Sequence, residues 1–326
     1  EAMNCKTLLR SAVLTVFAGG LASAAFAFGD KPVRLIVPAP AGGTIDVFAR
    51  IISDQLGQEI KQPVIVENRP GAGGAIAAKY VLSQPADGNT LLVSVTNILT
   101  EVPHVLKVGY DTLNDVKPVA QMARSVMVFI AAPETPYKDA KEAIAYVKAH
   151  PGKVSFASYS PGTTSQYAGV ILNKKAQLDM EHVGFPGSAP ALTQIMGNQI
   201  PLMFDGSVTS KPLIASGKVK LLAVAYKSRL PEYPNVPTFA EIGYPDIDFT
   251  NWAGVFAPAK TPAPIMDKIH EVLNKVNARP EVRQRYAGTG FELVSQQRSR
   301  AQLEADLKAE FDRNAGIVKT YGIKLN

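Results

Sequence analysis

Short apolar runs alternate with longer stretches of helical periodicity along most of the chain. VRLIV (33–37), VIV (64–66) and TLLVSV (90–95) are continuous Val/Ile/Leu-rich runs of strand length, the pattern of strands buried on both faces of a parallel sheet. Residues 45–59, 74–83 and 138–149 carry apolar side chains at helical spacing. VSFASY (154–159), IPLMF (200–204) and VKLLAVAY (219–226) continue the strand series, with helical stretches near 164–176, 188–197 and 210–216. This alternation is the βαβ signature of an α/β fold. FTNWAGVFA (249–257) reads as one further short strand, and Ala259 to Asn326 as helices with acids early and lysines late in each stretch, which suits the helix dipole. The pattern predicts two α/β lobes. Residues 28–125 and 250–326 form the first, with the C-terminal helices returning to it, and 126–249 form the second. No internal repeat or low-complexity tract interrupts the series.

The N-terminus breaks the pattern. Met3 is the expected start, with Glu1-Ala2 an extraneous pair ahead of it. Lys6 and Arg10 precede an apolar run from Ser11 to Ala25, and Ala25-Phe26-Ala27 has the small-x-small form of a cleavage site. Residues 1–27 therefore read as a leader plus a cleavable signal peptide, too short to span a bilayer. The implied location is periplasmic. The single cysteine, Cys5, precedes the apolar run, so it is misplaced for lipid attachment and leaves with the signal. A mature chain without cysteine relies on its core alone, and roughly 300 residues suffice to bury one or two.

Charge changes the picture little. The formal net charge is +6, but the basic residues are scattered among acids without a run of four, which argues against nucleic acid. His104, His150, His182 and His270 have no metal-ligand spacing, and neither HExxH, CxxC nor an EF-hand loop occurs. No cofactor or metal is expected. GxSxG is absent and Ser188 has no evident histidine partner, so the chain reads as a binder rather than an enzyme. An exported hydrolase using a hydroxyl of the same cleft is the rival from another class.

Two loops carry the candidate chemistry. VPAPAGGTIDVFAR (37–50) leaves a strand, passes Gly42-Gly43 and enters a helix, with no basic side chain before Arg50. Thr44 reads as its N-cap. Free amides at a helix N-terminus attract anions without any basic side chain. ASYSPGTTSQYAG (157–169) repeats the arrangement with Ser158, Ser160, Thr163, Thr164 and Ser165. Ligands of α/β sheets bind beyond the C-terminal ends of strands, so two such loops in different lobes predict a cradle for a carboxylate. A triphosphate would require lysine, arginine or a metal. Asp46, in the first helical turn, reads as a complement to the dipole. Asp205 ends an apolar strand, where it either accepts an ammonium group or orders a loop. Trp252 reads as core or hinge packing.

VPAPAGGTIDVFAR also resembles the V-P-F-x-P-G-G-x-x-D-x-x-A-R stretch of the solute receptors of tripartite tricarboxylate transporters, the Bug family. The resemblance continues through VIVENRPGAGGAIAA, YDTLNDVKPVAQM, HVGFPGSAPALTQIMGNQIPLMFD, LLAVAYKSRLPEYPNVPTFAEIGYPDI, WAGVFAPAKTPAPI and GIVKTYGIKLN. It implies a two-lobe type II periplasmic binding protein fold closing on a small carboxylate. It also implies a monomeric receptor that serves a two-subunit membrane permease, or alternatively a sensor. Family ligand contacts carry over to Ala39, Ala41, Gly42, Gly43, Thr44 and Asp46 in the first loop, and to Ser158, Gly162, Thr163, Thr164, Ser165 and Gln166 in the second. Gly187, Ser188 and Ala189 follow from GSAP, Asp205 from the next strand end, and Ser94, Thr96 and Asn97 from the loop after 90–95. Two positions depart from the family pattern: Ala39 stands where a bulky aromatic is common, and Gln166 where histidine is. The first implies room for a ligand bulkier than a small amino acid, such as an aromatic acid (terephthalate is one), unless Tyr159 or Phe185 fills the gap. The second implies weak pH dependence of affinity near 6.5.

Overall fold

The computed structural model describes residues 31–325; the signal-peptide reading of 1–27 lies outside them. The strand series appears as β1 (Val33–Val37), β2 (Val64–Asn68) and β3 (Thr90–Val95), joined by α1 (Thr44–Ile60) and α2 (Ala75–Ser83). The short α3 (Asn97–Thr100) follows, then β4 (Val116–Ala131). The next units are α4 (Ala140–Ala149), β5 (Val154–Ser158), α5 (Thr164–Ala176), β6 (Met180–Gly184), α6 (Ser188–Met196), β7 (Leu202–Gly206), α7 (Ser207–Ala215) and β8 (Lys220–Ala225). β9 (Thr250–Pro258), α8 (Ala263–Asn277), α9 (Pro280–Thr289), β10 (Glu292–Leu293) and α10 (Arg300–Tyr321) complete the chain.

The strands lie in the order β2-β1-β3-β9-β4-β7-β5-β6, with β8 and β10 also on β4. β1 is parallel to β2 and β3, and β5 is parallel to β6 and β7, whereas every pairing of β4 and β9 is antiparallel. β4 is the strand the hydrophobic pattern did not reveal. Its 16 residues pair with β9 from Val116 to Val126, then with β7 and β8 from Met127 to Ala131. Lys117, Pro118, Gln121, Arg124 and Ser125 interrupt its apolar pattern, and the ladder shifts register near Pro118 and Gln121. It passes from one lobe to the other, so neither lobe's periodicity describes it whole. β6, MEHVG, was also not anticipated; three of its five residues are polar or glycine.

Each lobe buries a core on both faces of its sheet. In the first, Phe48, Ala49, Ile52 and Leu56 of α1 join Leu35, Val93 and Val255, with α8 and α9 closing the same side. These α1 residues recur at i, i+1, i+4 and i+8, one apolar stripe of a helix. Trp252 lies in the opposite core, stacked on Phe256 at 5.3 Å. In the second lobe Phe129, Phe204 and Phe239 stack beneath α5, and α6 covers the other face. α10 joins the two. A capping box formed by Ser299 and Gln302 starts it, and Leu303 and Leu307 enter the first lobe's core. Ile317, Val318, Tyr321 and Ile323 pack on the second. The end of the chain thus packs against the cores of both lobes. Among the described residues no helix is long and apolar enough to cross a membrane.

Candidate ligand-binding cleft

A cavity of about 470 Å³ lies between the lobes at the C-terminal ends of β1, β3, β5, β6 and β7, within the range usual for small-molecule sites. Its wall is mostly apolar: Ile45, Val95, Ile98, Leu106, Met127 and Phe249, with four prolines from the connecting loops. Thr44, Ser94, Asn97, Ser125, Thr163, Ser188 and Asn251 supply polar groups. Among the described residues no lysine, arginine, histidine or carboxylate side chain lines it. Ala39, Tyr159 and Phe185 all lie in the wall of this cavity.

The β1–α1 loop is braced by its own acid. Gly42 turns the chain at φ +80°, where a side chain would be strained. The Gly42 N–H donates to Asp46 Oδ2 at 2.9 Å, Arg50 Nε to the same oxygen at 3.0 Å, and Asn68 Nδ2 to Asp46 Oδ1 at 2.9 Å. Asn68 also reaches the Ala39 carbonyl at 2.9 Å. Burial pushes the Asp46 carboxyl up, but the bonds from Arg50, Gly42 and Asn68 outweigh it and hold it below its ordinary value. The N-cap is Gly43, not Thr44, and makes no side-chain cap; Thr44 is the first helical residue. The amides of Thr44, Ile45 and Asp46 have no preceding turn to donate to, and Gly43, Thr44 and Ile45 line the cavity. Ala41 and Gly42 are exposed outside it.

The β5–α5 loop differs from the first in its hydrogen bonding. Its groups are spent within the protein. Gly162 N–H donates to Gln166 Oε1 at 2.7 Å, and Gln166 Nε2 to the Lys324 carbonyl at 3.1 Å. Ser158 Oγ pairs with His182 Nε2 at 2.7 Å, and Ser165 Oγ donates to the Phe204 carbonyl. Thr164 donates both its N–H and its hydroxyl to the carboxylate of Glu101. Asn251 Nδ2 reaches Glu101 Oε1 at 3.0 Å and Thr164 Oγ1 at 2.7 Å. Glu101 is fully buried, and burial pushes its carboxyl up to about 7 against the bonds from Thr164 and Asn251. An acid of the first lobe thus occupies the start of α5. Of this loop's predicted contacts only Thr163 reaches the cavity wall.

The α6 and α7 starts complete the corner. Gly187 and Ser188 line the cavity, while Ala189 is exposed. Ser188 Oγ donates to Asp205 Oδ1 at 2.6 Å, and Thr209 and Ser210 donate to Oδ2 at 2.7 Å each. Asp205 is fully buried, with its carboxyl raised by burial. It orders the α6 and α7 turns and does not face the cavity. Ser94 and Asn97 line the wall, with Asn97 Nδ2 at 3.5 Å from the Tyr159 hydroxyl; Thr96 is buried behind it. The Ser158–His182 pair is the nearest approach to a nucleophile and base, but Ser158 is fully buried and outside the wall. Glu101 and Asn251 escaped the sequence reading. A lone acid in the apolar context of TNILTEVPHVL was the available signal for the first; nothing local marked the second.

A two-lobe α/β fold closing on a cleft of backbone amides and hydroxyls is that of a periplasmic solute-binding protein. Comparison with known proteins is more specific. The chain belongs to the tripartite tricarboxylate transporter family receptors, whose family model matches residues 48–323. It is similar in structure to the periplasmic binding protein BugD, with a TM-score of 0.86 and 30% identity over 91% of this chain and 100% of that one. An R. palustris protein, Rpa4515, solved with adipate, gives a TM-score of 0.84 and 28% identity over 90% and 98% of the two chains. MatC from Rhodopseudomonas palustris, solved with malate, gives 0.82 and 31% over 88% and 98%.

Proposed function

We propose that this protein captures a small organic carboxylate in the interlobe cleft and delivers it to a two-subunit membrane permease of the tripartite type. The observation that carries the reading is the open N-terminus of α1, whose first turn lines an apolar cavity free of basic side chains. Helix amides and dipole bind an anion there without a countercharge. Adipate and malate in the two R. palustris structures support the ligand class. The contact set is Gly43, Thr44, Ile45, Gly187 and Ser188 around the carboxylate, with Ser94, Asn97 and Thr163 nearby. The body of the ligand is bulkier than a small amino acid, a reading supported by the cavity of about 470 Å³ and by the small side chain of Ala39 in its wall. Among the described residues, the lobes comprise 31–125 with 250 to about 314, and 126–249 with the chain end.

A thermal-shift screen of the chain from Phe28 onward tests this. Aliphatic mono-, di- and tricarboxylates, acidic amino acids and aromatic acids form the panel. A bound acid raises apparent stability by about 2.7 kcal/mol at a hundredfold excess over Kd. A shift with a six-carbon or aromatic acid supports the reading. No shift across the panel, or turnover of an ester by the same preparation, refutes it.

A further inference from the structure

The wall of the cleft cavity draws on loops of both lobes up to Asn251, and among the described residues only Leu325 reaches it from beyond that point. α10 ends where Gly322 turns the chain at φ +63°, and the Ile323 N–H donates to the Val318 carbonyl at 3.1 Å. Ile323 then enters the second lobe's core. The following carbonyl, that of Lys324, accepts from Gln166 Nε2 at 3.1 Å, and Gln166 Oε1 accepts from the Gly162 N–H at 2.7 Å. Gln166 is buried in the first turn of α5, so its amide ties the segment after α10 to the β5–α5 loop. Gly162 is where the segments meet. It sits at φ +80°, and a Cβ on it would lie 2.8 Å from Val105 Cγ2 and 3.6 Å from Leu325 Cδ2. Pro161 and Leu106, the chain neighbours of Gly162 and Val105, are also in the wall, so Leu325 belongs to an apolar side of the cavity. Its side chain is half-buried and is part of neither lobe's core.

We infer that Leu325 is a specificity-determining residue: held in the wall by Gln166, it limits how far the ligand's apolar body extends. Gln166 is a positioning residue, acting on the ligand through the Lys324 carbonyl and not as the direct contact that the family pattern implies. Apolar pockets discriminate by fit, and one methylene group changes the preference between ligands by roughly 10- to 200-fold. Leu325→Ala removes Cγ and both Cδ carbons from the wall, and with the side chain outside the cores its loss acts on the cavity more than on stability. The inference rests on the cleft as the carboxylate site and adds a boundary to the ligand's body.

Three homologous series test it by calorimetric titration at pH 8: butyrate, hexanoate and octanoate; succinate, adipate and suberate; and benzoate with its 4-methyl and 4-propyl derivatives. Within whichever series binds, Leu325→Ala is expected to improve the longest member relative to the shortest by about tenfold or more, and Leu325→Trp to worsen it by a similar factor. Gln166→Ala frees the segment and is expected to move the same ratio in the direction of Leu325→Ala, with no further shift in the double variant. A ratio within twofold of wild type in both Leu325 variants overturns the inference and, since the wild type binds, leaves the carboxylate reading standing. No heat from any acid with the wild type counts against both. Affinities that fall in parallel across a series in Gln166→Ala, with the ratio unchanged, remove Gln166 as the positioning residue. If a melting curve shows that variant unfolded, the two Leu325 variants decide.

Discussion

Gly206 offers a perturbation in which binding and folding should move in opposite directions. It ends β7 in the second lobe, and a Cβ there would lie 2.8 Å from Thr44 Oγ1 in the first lobe, with the next atoms at 3.9 Å. Its φ of −71° and ψ of 138° are accessible to any residue, so Gly206→Ala introduces no backbone strain. Removing a glycine at a compatible position stabilises by about 0.4–1 kcal/mol through the unfolded chain. The new methyl group needs roughly 3.5 Å from its neighbour, so Thr44 must give by more than half an ångström or the lobes must stay apart. Overpacking of this kind costs about 1–3 kcal/mol, a five- to 150-fold change in an equilibrium constant. An open, unliganded form escapes that cost and a closed, liganded one bears it. The melting temperature of the free protein should therefore be unchanged or higher, while Kd for the best acid of the screen rises five- to 150-fold. Thr44→Ala in the same background removes the clashing oxygen, so a double-mutant cycle should show a coupling that restores most of the lost affinity. A Kd within twofold of wild type, or a loss that Thr44→Ala does not relieve, would refute the view that this contact forms on closure.

Three further outcomes are expected. Asp46→Ala removes the acceptor of three hydrogen bonds that hold the β1–α1 loop; with charged bonds worth about 1.5–3 kcal/mol each and not additive, chemical denaturation should show a loss of at least ~2 kcal/mol, and an unchanged midpoint would contradict the bracing role. Ala39→Phe occupies the cavity wall, so titration should show bulky acids losing affinity while four-carbon acids keep theirs; parallel losses would place the ligand elsewhere. Glu101 and Glu310 are both pushed up to about 7, chiefly by burial, with Arg313 opposing and the Tyr159 and Tyr167 hydroxyls nearby. An acid raised in the folded state keeps a proton that the unfolded chain releases, so stability falls as pH rises from about 4.5 to about 7, by on the order of 3 kcal/mol for a rise of this size. Glu101→Gln should flatten that slope in urea titrations at pH 5 to 8, and an unaltered slope would show that Glu101 does not titrate there. Gln166, by contrast, bonds Gly162 and Lys324 away from the cavity wall, so it has no direct bearing on the pH dependence of affinity.

Periodicity alone determined the α/β class, and the positions of β1 and β3 follow from their Val/Ile/Leu-rich runs, because a strand buried on both faces reads as a near-continuous apolar run. The β1–α1 loop was legible for the same local reason: its glycines, its helix start and its lack of basic residues are all sequence neighbours. Tertiary structure decided the rest. β4 serves two lobes and so carries no single pattern. Asp46 and Asp205 stand where a ligand contact was expected, yet their partners, Asn68 for one and Ser188 for the other, come from distant turns and consume their oxygens. The β5–α5 loop looks as open as the first in sequence. Whether a helix N-terminus is free depends on what the fold brings against it, and here Glu101 arrives from 63 residues away. Local sequence specifies a helix start and its hydrogen-bonding capacity; only the packing of one lobe against the other decides which acid, the chain's own or a ligand's, receives those bonds.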